Sequence, residues 1–305
     1  MPLPKTEYIW MNGEFINWDD AKIHVLSHVL HYGTSWFEGI RAYKTSKGVA
    51  VFRLQEHMKR LHNSVKMYHS NLPYTVNELC EATLEIIRKN KLESCYIRPL
   101  AYRGYGELGV YPLECPMEVI IAAWKWGVYL GSDAHEKGVD VCVSSWRRLA
   151  PSTMPTLSKA GGNYMNAQLI RMEANKNGYH EGIGLDTNGY VSEGSGENIF
   201  IVQDGKVYTP GVGSSILQGV TRESVTIMLK EQGIDVIETV VPRGLLYSAD
   251  EIFFTGTAVE ITPVRSIDRI AVGDGHVGPI TRIVQKAFDS VVKDGIDPHR
   301  WLTYI

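Results

Sequence analysis

Cysteine is scarce in this chain. Four are scattered over 305 residues, at Cys80, Cys95, Cys115 and Cys142, and no two form a C-x-x-C pair. That spacing argues against a disulfide framework and against structural zinc, and it reads as free cytosolic thiols. Long apolar runs are also missing. A membrane span needs roughly 18 apolar residues. The richest run here, Val119 to Trp124, has six and reads as a buried strand. The opening Met1-Pro2-Leu3-Pro4-Lys5 has no apolar h-region, so no secretory signal is read and the expected compartment is the cytoplasm. Neither charge sign dominates: 31 basic and 34 acidic side chains leave a net charge of -3. General nucleic-acid binding needs a basic footprint, which is absent, although a local anion site stays open. There is no internal repeat, no low-complexity segment, no G-x-S-x-G and no Walker A sequence.

What is present is an ordinary globular composition, 44% apolar and 21% charged. The length suits two domains or one large one. Tyr8 to Asn17 reads as a hairpin turning at Asn12-Gly13. Leu54 to Tyr68 carries Leu54, Met58, Leu61 and Val65 on one helical stripe. Thr75-x-x-Glu78 is a capping box for a second helix that ends near Asn90. Strands are expected over Cys95–Tyr102, Met117–Trp124 and Val139–Ser144. The segment 129–137 is polar and could link two domains. Beyond it come a helix from about Gly162 to Asn175 and hairpins at Asn188-Gly189 and Asp204-Gly205. A helix over Thr221–Gln232, strands over Val236–Val241 and Glu251–Thr255, and a helix from Pro279 to Lys293 follow. Strands with segregated helices in the first half suggest α+β.

Two patterns carry little. Gly273-Asp-Gly275-His-Val-Gly278 matches G-x-G-x-x-G, but only 27 residues follow it, too few for a nucleotide-binding half. Asp274-Gly275 reads better as a turn. His24, His28 and His31 have helical spacing but no H-E-x-x-H and no carboxylate partner, so no metal is expected.

Three small-residue segments look like an anion cradle: Glu193-Gly-Ser-Gly196-Glu-Asn198, Leu217-Gln-Gly219-Val220-Thr221-Arg222 and Thr255-Gly256-Thr257-Ala258. Amides at a helix start and hydroxyls at a strand end favour a phosphate. Lys159 lies among small neighbours just before Gly161-Gly162. A lysine removed from water has a lowered pKa and can form a Schiff base.

Lys159-Ala-Gly-Gly-Asn-Tyr164, Glu193-Gly-Ser-Gly-Glu-Asn198, Gly219-Val-Thr-Arg222 and Gly256-Thr-Ala258 together resemble the fold-type IV pyridoxal-phosphate aminotransferases. His31-Tyr-Gly-Thr-Ser-Trp-Phe-Glu-Gly-Ile-Arg-Ala-Tyr43, Arg60-Leu-His62 and Tyr96-Ile-Arg-Pro99 narrow the resemblance to the branched-chain amino-acid aminotransferases. It covers nearly the whole chain, in order. Its implied fold is a small α+β domain over 1–130 and a larger cofactor-binding domain over 131–305 with a pseudo-barrel sheet.

The implied cofactor is pyridoxal 5′-phosphate. Lys159 would be its Schiff-base lysine and the proton shuttle. Glu193 would pair with the pyridine nitrogen and Tyr164 with the ring hydroxyl. Arg60, Gly219, Val220, Thr221 and Thr257 would hold the phosphate. Leu217 would pack on the ring, with Gly196 and Gly256 completing the cofactor set. Tyr32, Phe37, Trp126 and Tyr129, together with Tyr164, would line an aliphatic pocket. Tyr96 and the backbone of Gly256, Thr257 and Ala258 would take the α-carboxylate, and Arg98 the distal carboxylate of glutamate. Tyr32 and the loop at Val110 would come from a second subunit.

The implied reaction is reversible ping-pong transfer from leucine, isoleucine or valine to 2-oxoglutarate. The implied assembly is a homo-oligomer, at least a dimer, with a trimer of dimers as the larger form. A D-amino acid or (R)-amine transaminase and an aminodeoxychorismate lyase are the alternatives inside the superfamily. A non-enzymatic scaffold is the alternative outside it. The stretch Arg103-Gly-Tyr-Gly-Glu-Leu-Gly109-Val-Tyr-Pro112 departs from the family pattern at Arg103, Tyr105 and Glu107.

Overall fold

The apolar stripe of Leu54, Met58, Leu61 and Val65 becomes a helix over Leu54–Lys66, with all four side chains buried. The computed structural model in which it is seen describes residues 3–127, 130 and 133–305. The helix stops two residues before Tyr68, and the chain leaves it through His69 in the left-handed region at φ 56°. Thr75 caps the next helix, Val76–Lys89. Glu78 donates its N–H to Thr75 Oγ1 at 3.3 Å, and its carboxylate accepts the Thr75 N–H at 2.7 Å.

The chain forms two compact units, each discontinuous in sequence. Met1–Gly127, Ser158–Gly162 and Ser290–Ile305 make the first, and Val128–Leu157 with Asn163–Asp289 the second. The sequence suggests one boundary near 130, and no local pattern signals the two returning segments.

The first unit holds an eight-stranded sheet. Its main path runs Leu302–Tyr304, Gly48–Phe52, Ile40–Thr45, Cys95–Arg103, Met117–Trp124, Tyr8–Met11 and Glu14–Asn17, and Ser35–Phe37 also pairs with Cys95–Arg103. Side chains alternate across a strand. Ile97, Ala101, Val119, Ile121 and Ala123 therefore join Met58, Leu61, Leu79 and Ile86 in one core. Tyr96 and Arg98 point from the opposite face. The register sets Tyr96 beside Trp124 and Arg98 beside Ala122.

The second unit holds a nine-stranded mixed sheet with the pseudo-barrel form. Its path is Val191–Gly194, Glu181–Leu185, Val139–Arg147, Glu260–Ile267, Glu251–Gly256, Asn198–Gln203, Lys206–Pro210 and Val236–Thr239, with Ile270–Ala271 on the side of Glu260–Ile267. Asp204 and Gly205 turn the hairpin between Asn198–Gln203 and Lys206–Pro210, both at positive φ (51° and 71°), as a two-residue primed turn requires. The interior is Val141, Ile183, Ile199, Ile201, Ile252, Phe254 and Val264 with their neighbours. Helices Tyr164–Lys176, Val220–Glu231 and Pro279–Val292 also belong to this unit, apart from the last turn of the third. Among the described residues no helix is long and apolar enough to cross a membrane.

Candidate active site

Helix Leu54–Lys66 turns a second stripe away from its apolar one. His57, Arg60 and Ser64 recur at three and four residues, so they share a face. Ser64 holds the Lys159 segment twice. Its Oγ accepts the Lys159 N–H at 3.0 Å, and its carbonyl accepts the Ser158 hydroxyl at 2.9 Å. Phe37 donates its N–H to the Lys159 carbonyl at 3.1 Å, and Ala160 bridges to Trp36. A lysine distant in sequence is thereby built into the first unit by backbone bonds.

Aromatic rings surround it. Lys159 Nζ lies 5.0 Å from the Phe37 ring centre. The Arg98 guanidinium lies over the same ring at 4.6 Å and over Tyr96 at 5.3 Å, and its Nη2 donates to the Tyr96 hydroxyl at 3.0 Å. Trp126 stacks on Tyr96 at 4.5 Å. Gly39 makes room for this wall, because a Cβ there would overlap the Tyr96 hydroxyl and stand 3.0 Å from its Cζ.

The electrostatics follow from burial. Lys159 is pushed down to about 8, by burial first and then by the Arg60 charge; Glu38 and Tyr96 oppose the shift and Arg98 adds to it. The amine therefore gives up its proton at a lower pH than an ordinary lysine does. Burial by itself would raise Glu38. The Arg60 guanidinium and then His57 outweigh that and hold its carboxyl well below the usual carboxylate range.

The second unit presents a different set. Val191–Gly194 bulges between Val191 and Glu193, and a bulge re-aims the side chain beside it. Glu193 is 5% exposed. Arg148 Nη2 donates to its Oε1 at 2.7 Å, and Asn198 Nδ2 and the Leu217 N–H donate to Oε2 at 3.1 and 2.9 Å. All three are donors, an arrangement suited to a carboxylate. Gly219 is the N-cap of helix Val220–Glu231, and no side chain caps the helix. A Cβ on Gly219 would overlap Asn198 Oδ1. The amides of Val220 and Thr221 begin this helix, where an anion is favoured. Gly256 ends strand Glu251–Gly256, and Thr257 and Ala258 open the turn after it; all three are half-buried. Tyr164 opens helix Tyr164–Lys176, Leu217 is half-buried, and Gly196 is exposed with open space where a Cβ would stand.

These residues fit a phosphorylated pyridine aldehyde. The uncapped helix start suits a phosphate, and Glu193 suits a protonated ring nitrogen. Two buried hydroxyls, Ser215 and Thr255, have no hydrogen-bond partner among the described residues, and they lie in the segments leading to these turns.

Among the sequence-predicted residues, Phe37, Arg60, Tyr96, Arg98, Trp126 and Lys159 gather in the first unit. Tyr32 and Val110 are 46% and 93% exposed. His28 ties those two together. Its ring stacks on Tyr32 at 4.4 Å, and its Nε2 bonds the Gly109 carbonyl at 2.8 Å. Tyr129 lies outside the described residues. Sequence reasoning missed Glu38, His57 and Arg148. The Phe37-Glu38-Gly39 motif and the shared face of His57 and Arg60 could have signalled the first two; a lone Arg148 gave no signal. Arg222, singled out with Gly219, turns inward to bond the Pro210 carbonyl at 3.1 Å and Glu238 at 3.2 Å.

The family described as amino-transferase class IV matches residues 35–267. The chain is 54% identical over 289 residues to the branched-chain-amino-acid aminotransferase of Escherichia coli K12, covering 94% of each chain. A crystal structure of the Escherichia coli branched-chain amino acid aminotransferase superposes with a TM-score of 0.96 at 53% identity, covering 98% of this chain and 99% of that one. The branched-chain aminotransferase from Thermobaculum terrenum, solved in its holo form with pyridoxal phosphate, superposes with a TM-score of 0.91 at 36% identity, covering 98% of each chain.

Proposed function

The chain belongs to the class IV aminotransferases, and on that premise we propose that it transfers the amino group of leucine, isoleucine and valine to 2-oxoglutarate by a reversible ping-pong reaction. It is a branched-chain-amino-acid aminotransferase that uses pyridoxal 5′-phosphate and takes amino acids and 2-oxo acids as substrates. The observation that carries the finer reading is the Arg98 guanidinium laid on the rings of Phe37 and Tyr96, beside Lys159. An aromatic wall accepts an aliphatic side chain, and a guanidinium set into it accepts the distal carboxylate of glutamate. One pocket then serves both donors.

When bound, pyridoxal phosphate supplies an aldehyde and a ring that draws off the electrons released at the substrate Cα. Lys159 Nζ, neutral above about 8, takes the Cα proton and returns it. Glu193 pairs with the ring nitrogen and keeps it protonated, and Arg148 and Asn198 fix that carboxylate. Tyr164 would donate to the ring oxygen. Arg60, Val220, Thr221 and Thr257 would hold the phosphate, and Leu217 would pack on the ring.

A second copy of the chain completes the pocket with Tyr32 and Val110. Support for this comes from exposed Leu30, Tyr32, Tyr105, Val110 and Tyr111, an apolar set that a monomer would leave in water. The compartment proposed is the cytoplasm, where four free cysteines stay reduced.

A donor panel tests the reading. L-Leucine, L-isoleucine and L-valine should react with 2-oxoglutarate, and D-amino acids and (R)-amines should not. Arg98→Ala should cut kcat/KM for glutamate by about 10- to 100-fold more than for leucine, as loss of a charge-assisted fork implies. Equal losses for both donors would remove the role given to Arg98.

A further inference from the structure

Glu38 has no part in the reaction as proposed, yet it is completely buried. It lies between Ser35–Phe37 and Ile40–Thr45, and its N–H donates to the Pro99 carbonyl at 2.8 Å. Three donors converge on its carboxylate. His57 Nδ1 reaches Oε2 at 2.7 Å, Arg60 Nε reaches Oε1 at 2.7 Å, and Arg60 Nη2 reaches Oε2 at 2.7 Å. The two arginine bonds form a bidentate fork, which fixes the plane of the guanidinium as well as its place.

We infer that Glu38 and His57 are positioning residues for Arg60: His57 locks the Glu38 carboxylate, and the carboxylate sets the orientation of the guanidinium edge that meets the cofactor phosphate. This rests on the reading that Arg60 holds that phosphate. Without the histidine, Glu38 could rotate about its own side chain and carry Arg60 with it. With it, the carboxylate is held by a second residue as well as by Arg60 before any anion arrives, and a pre-ordered fork loses less freedom on binding.

The choice of histidine has a physical reason. His57 faces Glu38, Arg60 and Lys159. Burial lowers its pKa, Glu38 raises it, Arg60 and Lys159 lower it, and the net shift is down. It therefore donates its Nδ1 hydrogen as a neutral ring. A lysine or arginine at that position would add a third positive charge beside Arg60 and Lys159. The neutral ring restrains the carboxylate without changing the charge at the reactive amine.

The test compares affinities of the full chain for pyridoxal 5′-phosphate and for pyridoxal, which lacks the phosphate. Their ratio isolates the phosphate grip from the rest of the site. His57→Leu removes the donor at unchanged charge and should lower the ratio by about tenfold, the scale of one charge-assisted hydrogen bond. His57→Asn keeps a short donor and should restore most of it. On an Arg60→Ala background His57→Leu should leave the ratio unchanged, because the residue it positions is gone. If His57→Leu does not fold, Glu38→Asp runs the same cycle, drawing the carboxylate back by one methylene at unchanged charge. An unaltered ratio in the single variants, or an equal drop with and without Arg60, would overturn the inference. A wild-type chain that binds both ligands equally would instead remove the phosphate reading on which it rests.

Discussion

Lys159 owes its reactivity to where its neighbours put it. Burial and the Arg60 charge bring it from 10.5 to about 8. Between those values the unfolded chain holds a proton on this lysine that the folded chain has released. Stability of the cofactor-free protein should therefore rise with pH through that window, and Lys159→Met should abolish this part of the rise. The rate at which the stripped chain takes up pyridoxal phosphate should climb with a midpoint near 8; a midpoint near 10.5 would mean an ordinary exposed lysine. The sequence pointed to Lys159 through its small neighbours, and to Glu193 through a motif. It could not show that Glu38 and His57 stand behind Arg60, because the fork joins positions 22 residues apart. Only the shared face of one helix hinted at it.

At the scale of elements, the wall around Arg98 depends on Gly39. A methyl group there would drive the Tyr96 ring away, and Arg98 Nη2 bonds that ring's hydroxyl. Gly39→Ala should therefore behave like a mild Arg98 variant, lowering kcat/KM for glutamate about tenfold more than for leucine. Steady-state kinetics with both donors decide it, and a loss shared equally would assign Gly39 to packing alone. Local patterns located most elements well. The Met117–Trp124 strand has the expected ends, and the capping box forms at Thr75. The strand expected to reach Val241 stops at Thr239, since the Val241 carbonyl leaves to accept the Val191 N–H at 2.8 Å. Such long-range claims on a backbone group leave no local trace. The same holds for Arg103. It is 2% exposed and bonds the Pro112 carbonyl at 2.6 Å and the Ser70 hydroxyl, holding the base of the loop that carries Val110.

At the scale of the whole molecule, length left two domains or one large one open, and nothing local showed which segments the two compact units share. Leu302–Tyr304 pairs with Gly48–Phe52, some 250 residues away along the chain, and Ala160 bridges to Trp36. Pairings of that separation arise from the tertiary fold and have no periodic signature. They also explain why Lys159 belongs to the unit that carries Phe37, Arg60 and Tyr96. The central claim is that Lys159 bonds pyridoxal phosphate and carries amino groups between branched-chain donors and 2-oxoglutarate. The most direct test is the visible absorbance spectrum of the purified chain loaded with pyridoxal phosphate. L-Leucine should bleach the yellow band, 2-oxoglutarate should restore it, and Lys159→Ala should do neither while still binding the cofactor. A band indifferent to L-leucine, or a Lys159→Ala variant that cycles normally, would contradict the account.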